Sequence, residues 1–279
     1  ELLFDLTFVV AISTLVVQLA HAIEGGHAGD VLVPFLMVFF AIWWAWNQFT
    51  WLASAYDNDD ALYRILTMVQ MGGVLVLAAG VPTAFEHQDF LAITLGYLIM
   101  RLGLLATIVR AWRDDPATRT VTGRYIIGIS VVQARWILRL LIIPAEYIVP
   151  AFALLALADL LVAPWASRDG ELNWHPHHIA ERSGLFTIIL LGESVLAATF
   201  AVQVGVADGV TLPLVVVASA GLVLLFTLWW IYFSEPAAAG LVRRRERSYF
   251  WGYGHYFIFA SLALIGAALE VAVVAVTHH

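Results

Sequence analysis

The chain has 279 residues, 62% of them hydrophobic and 13% charged, with a net charge of −7 and no cysteine. Soluble domains carry about 25% charged residues, so a chain at 13%, with a mean hydropathy of +0.86, cannot cover itself with polar surface and belongs in a membrane. The absence of cysteine excludes disulfides and thiol chemistry, the absence of lysine among 14 basic residues excludes a Schiff base, and the acidic balance argues against nucleic-acid binding.

About 20 apolar residues cross a bilayer. By that measure nine spans are expected, at Leu2–Ala20, Val31–Ala53, Ala61–Val81, Phe90–Trp112, Val121–Ile143, Tyr147–Trp165, Ile179–Val204, Thr211–Phe233 and Phe250–Val276. The runs are continuous rather than alternating with a period of two, which predicts an all-α, polytopic helix bundle and not a β-barrel. The short "PAEY" connection predicts that spans five and six pack side by side. Residues 1–279 read as a single integral membrane domain. Its ends, Glu1 and "VAVVAVTHH", are expected to be trimmed, and no charged, cleavable leader is visible. His278 and His279 at the cut end are left out of the functional reading.

The loops after spans four, six and eight carry Arg113, Arg119, Arg168, Arg243, Arg244, Arg245 and Arg247, with Arg64 and Arg182 at the starts of spans three and seven, whereas the loops after spans one, three, five and seven carry no arginine. Positive charge stays on the cytoplasmic side, so the N-terminus is expected inside. "RRRER" at Arg243–Arg247 reads as an anchor near anionic headgroups. Spans one to three resemble spans seven to nine, with "FFAIWWAWNQF" set against "LFTLWWIYFSE", so an internal repeat of the transporter kind is a further expectation. Trp43, Trp44, Trp46 and Trp51, with Trp229, Trp230 and Tyr232, are expected in interfacial belts.

Within the spans lie Asp5, Arg64, Arg101, Arg135, Arg139, Asp159, Glu193, His255 and Glu270. Each intramembrane charge costs about 2.5–3.5 kcal/mol on insertion scales and calls for a partner or water. Asp5 begins its helix, where the macrodipole favours a carboxylate. Arg135 and Arg139, four apart, share a face and could meet Asp159 across the hairpin. In span seven Arg182 and Glu193 are 11 positions apart, so they share a face about 16 Å apart along the axis. His178 and Glu181 stand at the mouth of that stripe, Ser194 adjoins Glu193, and Gly184 and Gly192 would admit a neighbouring helix. Arg101 or Arg135 is the expected counter-charge of Glu193. The histidines of "NWHPHHIAER" lack a second His four residues on, so no metal site is expected, and the aromatics call for no cofactor.

Five segments together resemble the bacterial low temperature requirement A (LtrA) family: "ELLFDLTFVVAIS", "DDALYRILTMVQMGGVLVLAAGVP", "GYLIMRLGLLATIVRA", "HHIAERSGLFTIILLGES" and, more weakly, "GHYFIFASLALIGAALE". The family's opening is closer to E-L-F-F-D-L, so Leu3 departs from it while Glu1 and Asp5 match. The resemblance implies a multi-pass protein of the bacterial inner membrane, usually longer than this chain, and supplies no reaction.

Three functions remain open from the residues. The first is a secondary transporter or ion- or proton-conducting protein, with Glu193 as the ion-linked carboxylate, Arg101 or Arg135 as its counter-charge, and Asp159, Arg182, Glu181, His178, Asp5 and Ser194 along the pathway. The second is an intramembrane enzyme on a lipid or lipid-linked substrate, using Ser194 beside Glu193, or His178 with Glu181. The third is a structural or sensory protein in which every buried charge serves packing. Expected partners are the lipid bilayer and a small solute or ion, with a homo-oligomer as a further option.

Overall fold

A computed structural model describes residues 2–56, 58 and 60–277, apart from the side chains of 145, 197, 200, 201, 204, 205, 207, 208 and 277. Glu1, His278 and His279 lie outside the described residues. Among those described there is no strand. Nine long helices run in chain order: α1 Leu2–Glu24, α2 Ala28–Ala55, α3 Ala61–His87, α4 Leu91–Asp114, α5 Arg119–Ile142, α6 Ile148–Ala166, α7 Pro176–Asp208, α8 Leu212–Phe233 and α10 Ser248–Thr277, with a short α9 at Ala237–Arg243. Among the described residues eight candidate spans are long and apolar enough to cross a membrane, and α7, at 33 residues, carries a further apolar run that includes Glu193.

The helix ends follow local chemistry. Asp60 caps α3 by accepting from the Tyr63 amide at 2.9 Å, satisfying a backbone donor that the helix cannot. The α1–α2 turn needs a left-handed residue, which Gly26 supplies at φ 77°. Ala145–Tyr147 form a single 3₁₀ turn, which keeps the α5–α6 connection tight. The seven-residue α9 sits between spans and was not expected, because a helix this short leaves no apolar period to read in a loop dominated by arginines.

The chain forms two compact units, Glu1–Ala11 with Ala41–His175, and Ile12–Phe40 with Pro176–His279. In the first, α3 and α4 meet through a stripe of small residues. A Cβ on Gly96 would stand 2.5 Å from the Gly73 carbonyl oxygen, and one on Gly80 would stand 2.7 Å from the Ala92 methyl. Such contact replaces the hydrophobic effect, which lipid does not provide between helices. An apolar cluster of Leu52, Leu104, Ile108, Ile129, Val132, Trp136 and Val162 ties in α2, α5 and α6. Trp43, Trp44 and Trp46 are each 1% exposed and belong to the interior, not to an interfacial belt. The α2 segment around them is apolar on every side, so its sequence does not distinguish an inner from an outer tryptophan. Trp229 and Trp230 are exposed, as a belt requires.

In the second unit α7 lies along α10. A Cβ on Gly266 would stand 2.6 Å from Ser194 Oγ, so the close approach is made by the α10 glycine. Gly192, expected to admit a helix, is exposed, and a Cβ there would meet nothing within 4 Å. Gly184 faces the Phe233 ring, at 3.1 Å from its would-be Cβ.

Candidate functional site

In the first unit the deepest charges form a closed set. Arg101 Nη2, on α4, donates to Asp159 Oδ1 of α6 at 2.5 Å and to the Tyr97 hydroxyl at 2.7 Å. Its Nη1 donates to Gln48 Oε1 of α2. The second Asp159 oxygen accepts from Trp136 Nε1 of α5 at 3.0 Å. The guanidinium also lies 4.9 Å from the Tyr97 ring centroid, a cation–π distance. Arg101 is 3% exposed and Asp159 fully buried. Both carboxylate oxygens are satisfied, while Arg101 Nε is buried without a hydrogen-bond partner among the described residues. A cavity of about 10 Å³, room for one water, touches Gln48, Gln70, Tyr97 and Arg101.

This geometry corrects two expected pairings. Asp159 takes Arg101 and Trp136, not Arg135 or Arg139. Trp136 is the α5 residue turned toward Asp159, and Arg135 is rotated from it by about 100°, which leaves it exposed. Arg139 is buried but sits against aromatic faces, 5.7 Å from the Trp136 ring and 5.8 Å from that of Phe90. Arg101, offered by the sequence as the counter-charge of Glu193, is committed to Asp159. Gln48, Tyr97 and Trp136 went unrecognised because a census of charges omits neutral hydrogen-bonding groups.

Asp5, in the first turn of α1, is fully buried and accepts from Trp46 Nε1 at 2.8 Å. It therefore has a side-chain contact as well as its place at a helix start. Further ion pairs close the ends of this unit. Arg110 reaches Asp60 through two hydrogen bonds and Asp114 at 3.4 Å, and Arg124 meets Asp169 at 2.5 Å. Arg110 and the Tyr63 amide hold the Asp60 carboxyl at about 2, well below the usual carboxylate value, and Arg124 lowers that of Asp169. Both acids stay ionised at any physiological pH and fasten loop to helix. Neither pairing was expected from the sequence, in which Arg110 and Arg124 were not singled out.

In the second unit one face of α7 is buried from Ile179 to Ser194: Ile179, Arg182, Ser183, Phe186, Thr187, Leu190, Glu193 and Ser194. Arg182 is 2% exposed, so it is an interior residue and not part of an open mouth, whereas Glu181 is exposed and His178 half-buried. Glu193 is 9% exposed. Among the described residues it has neither a hydrogen bond nor an ion pair. Across from α7, Glu270 of α10 lies within electrostatic reach of Glu193, and of Glu24 and His21 at the end of α1. Its Oε2 is buried without a hydrogen-bond partner among the described residues. Two carboxylates within electrostatic reach repel when both are ionised, and a proton or a bound cation relieves that repulsion.

Ser194 donates its hydroxyl to the Leu190 carbonyl at 3.1 Å and packs against Gly266. That is the bonding of a helix-interior serine, and no base addresses it among the described residues. His255, 5% exposed, donates from Nδ1 to the Trp251 carbonyl at 2.8 Å, so its Nε2 accepts from the Tyr232 hydroxyl at 3.0 Å.

No solved structure matches the chain. An uncharacterized protein of Rhizobium meliloti (strain 1021), RA0937, is 27% identical over 298 residues, an alignment covering 98% of this chain and 67% of that protein. The family described as bacterial low temperature requirement A protein (LtrA) matches residues 1–279. With the whole chain matched and the helices of a multi-pass membrane bundle in place, this protein belongs to the LtrA family.

Proposed function

We propose that this chain moves a small solute or ion across the bacterial inner membrane, with Glu193 as the group that takes up and releases a proton or cation. The observation that carries this reading is a carboxylate on the buried face of α7 that has no ion pair among the described residues and stands within reach of a second carboxylate, Glu270. A buried charge that serves packing is normally neutralised, as Arg101 neutralises Asp159. Glu193 has no such partner among the described residues, and an intramembrane acid of this kind is the usual element of a proton or ion relay. The loops after α4, α6 and α8 carry the arginines, which supports a cytoplasmic N-terminus, and on that reading Glu24 and Glu270 would lie toward the outer face. The enzymatic alternative draws little support, since Ser194 is bonded to its own helix.

Reconstitution in liposomes tests the proposal. Under an imposed pH gradient the wild type carries protons above the level of protein-free liposomes, and Glu193→Gln, folded and inserted equally well, falls to that level. Wild-type flux in Glu193→Gln overturns the proposal. A wild type as tight as empty liposomes, with and without candidate cations, leaves the buried charges a structural role only.

A further inference from the structure

We infer that the groove between α9 and α10 is a binding site for one anionic glycerophospholipid, its phosphate held by Arg244 and Arg247 and its acyl chain laid along α10. The groove has a volume of about 380 Å³ and is lined by Gly240 and Leu241 of α9, Arg244 and Arg247, and Phe250, Trp251, Gly254, His255 and Ile258 toward and along α10. Its two ends differ in chemistry. The arginines at one end are exposed, and the wall that continues from them is apolar. A ligand that matches both ends has an anionic head and a hydrocarbon tail.

The glycines supply an independent observation. Glycine in a helix interior costs about 0.5–1 kcal/mol relative to alanine, and a membrane helix usually recovers that cost through close helix contact. Gly73 and Gly96 do so. Gly240 and Gly254 do not: a Cβ on either would meet no atom within 4 Å. The room they leave is the groove itself, one glycine on each wall, and no described part of the chain uses it. Phe250, 83% exposed at the arginine end, gives an aromatic shoulder suited to the headgroup level.

Charge selects the occupant. Arg243, Arg244, Arg245 and Arg247 fall within five residues with Glu246 as the only acid among them, so a lipid with a net negative charge is favoured over a zwitterionic one, whose phosphate is offset by its own ammonium. A free phosphate would satisfy the arginines and leave the apolar length unfilled. The inference stands apart from the role of Glu193, because none of its residues touches the α7 carboxylate site.

Native mass spectrometry of the detergent-solubilised protein, exchanged into mixed micelles with phosphatidylglycerol or phosphatidylcholine, tests it. The wild type is expected to retain one phosphatidylglycerol at a collision energy that strips phosphatidylcholine. Arg244→Gln with Arg247→Gln loses that preference. Gly254→Leu, which fills the groove and leaves both arginines in place, loses the retained lipid altogether, and Gly240→Leu does the same from the opposite wall, so that one variant suffices if the other does not fold. Equal retention of the two lipids by the wild type, unchanged retention in both leucine variants, or displacement of the lipid by soluble glycerol phosphate overturns the inference.

Discussion

Asp159→Ala is expected to destabilise the helix bundle by about 3–5 kcal/mol, the usual consequence of leaving a buried charge without its partner. The variant removes the carboxylate that binds Arg101 at 2.5 Å and Trp136 at 3.0 Å, and it strands a guanidinium that is 3% exposed. Gln48 and Tyr97 would still accept from Arg101, but neither carries charge. The check is the midpoint of unfolding as sodium dodecyl sulfate is titrated into the detergent-solubilised protein. Arg101→Met combined with Asp159→Leu should recover most of the loss, because an apolar pair of similar volume avoids the desolvation penalty altogether. If Asp159→Ala unfolds at the wild-type midpoint, the pair does not hold α4, α5 and α6 together.

Gly96→Ala is expected to have the next largest effect, about 1–3 kcal/mol of destabilisation from overpacking. A Cβ at this position would stand 2.5 Å from both the Gly73 carbonyl oxygen and the Leu77 amide nitrogen. Both are backbone atoms, so no rotamer change relieves the clash, and α3 and α4 must part. The same substitution at Gly192 meets open space and is expected to be neutral or slightly stabilising, since alanine is the better helix former. Unfolding midpoints of the two variants, measured side by side, separate the contact effect from helix propensity. Equal midpoints would show that the α3–α4 approach is looser than the backbone distances require.

Much of this architecture was legible from the amino-acid order because the bilayer imposes a length on every crossing. Nine apolar runs became nine long helices, and the ends missed by a few residues lie where polar turns of helix extend past the apolar core, as at Glu24 and Asp114. The interior was harder to read, and the reason is rotational. Arg135 and Trp136 are neighbours in sequence, yet the helix turns one toward Asp159 and the other outward. No charge census separates them, because the choice depends on which helix lies beside α5. Likewise the sequence offered Gly192 as the contact glycine, whereas α7 receives α10 through Gly266. The tryptophans of α2 show the same limit: a span apolar all round carries no amphipathic signal to place Trp43 inside. The shared buried face of Arg182 and Glu193 needed only the helical repeat, so that much of the candidate site could be read directly.

The central claim is that the Glu193 carboxyl faces an aqueous interior path and not the acyl chains. The chain contains no cysteine, so Glu193→Cys introduces a single thiol. Added to the non-cytoplasmic side of oriented vesicles, a cationic, membrane-impermeant methanethiosulfonate is predicted to modify this thiol, and a free carboxylate-binding cation is predicted to slow the reaction only when Glu270 is intact. A thiol that resists the water-soluble reagent from either side, yet reacts with a lipid-soluble maleimide, would place position 193 against lipid and contradict the account.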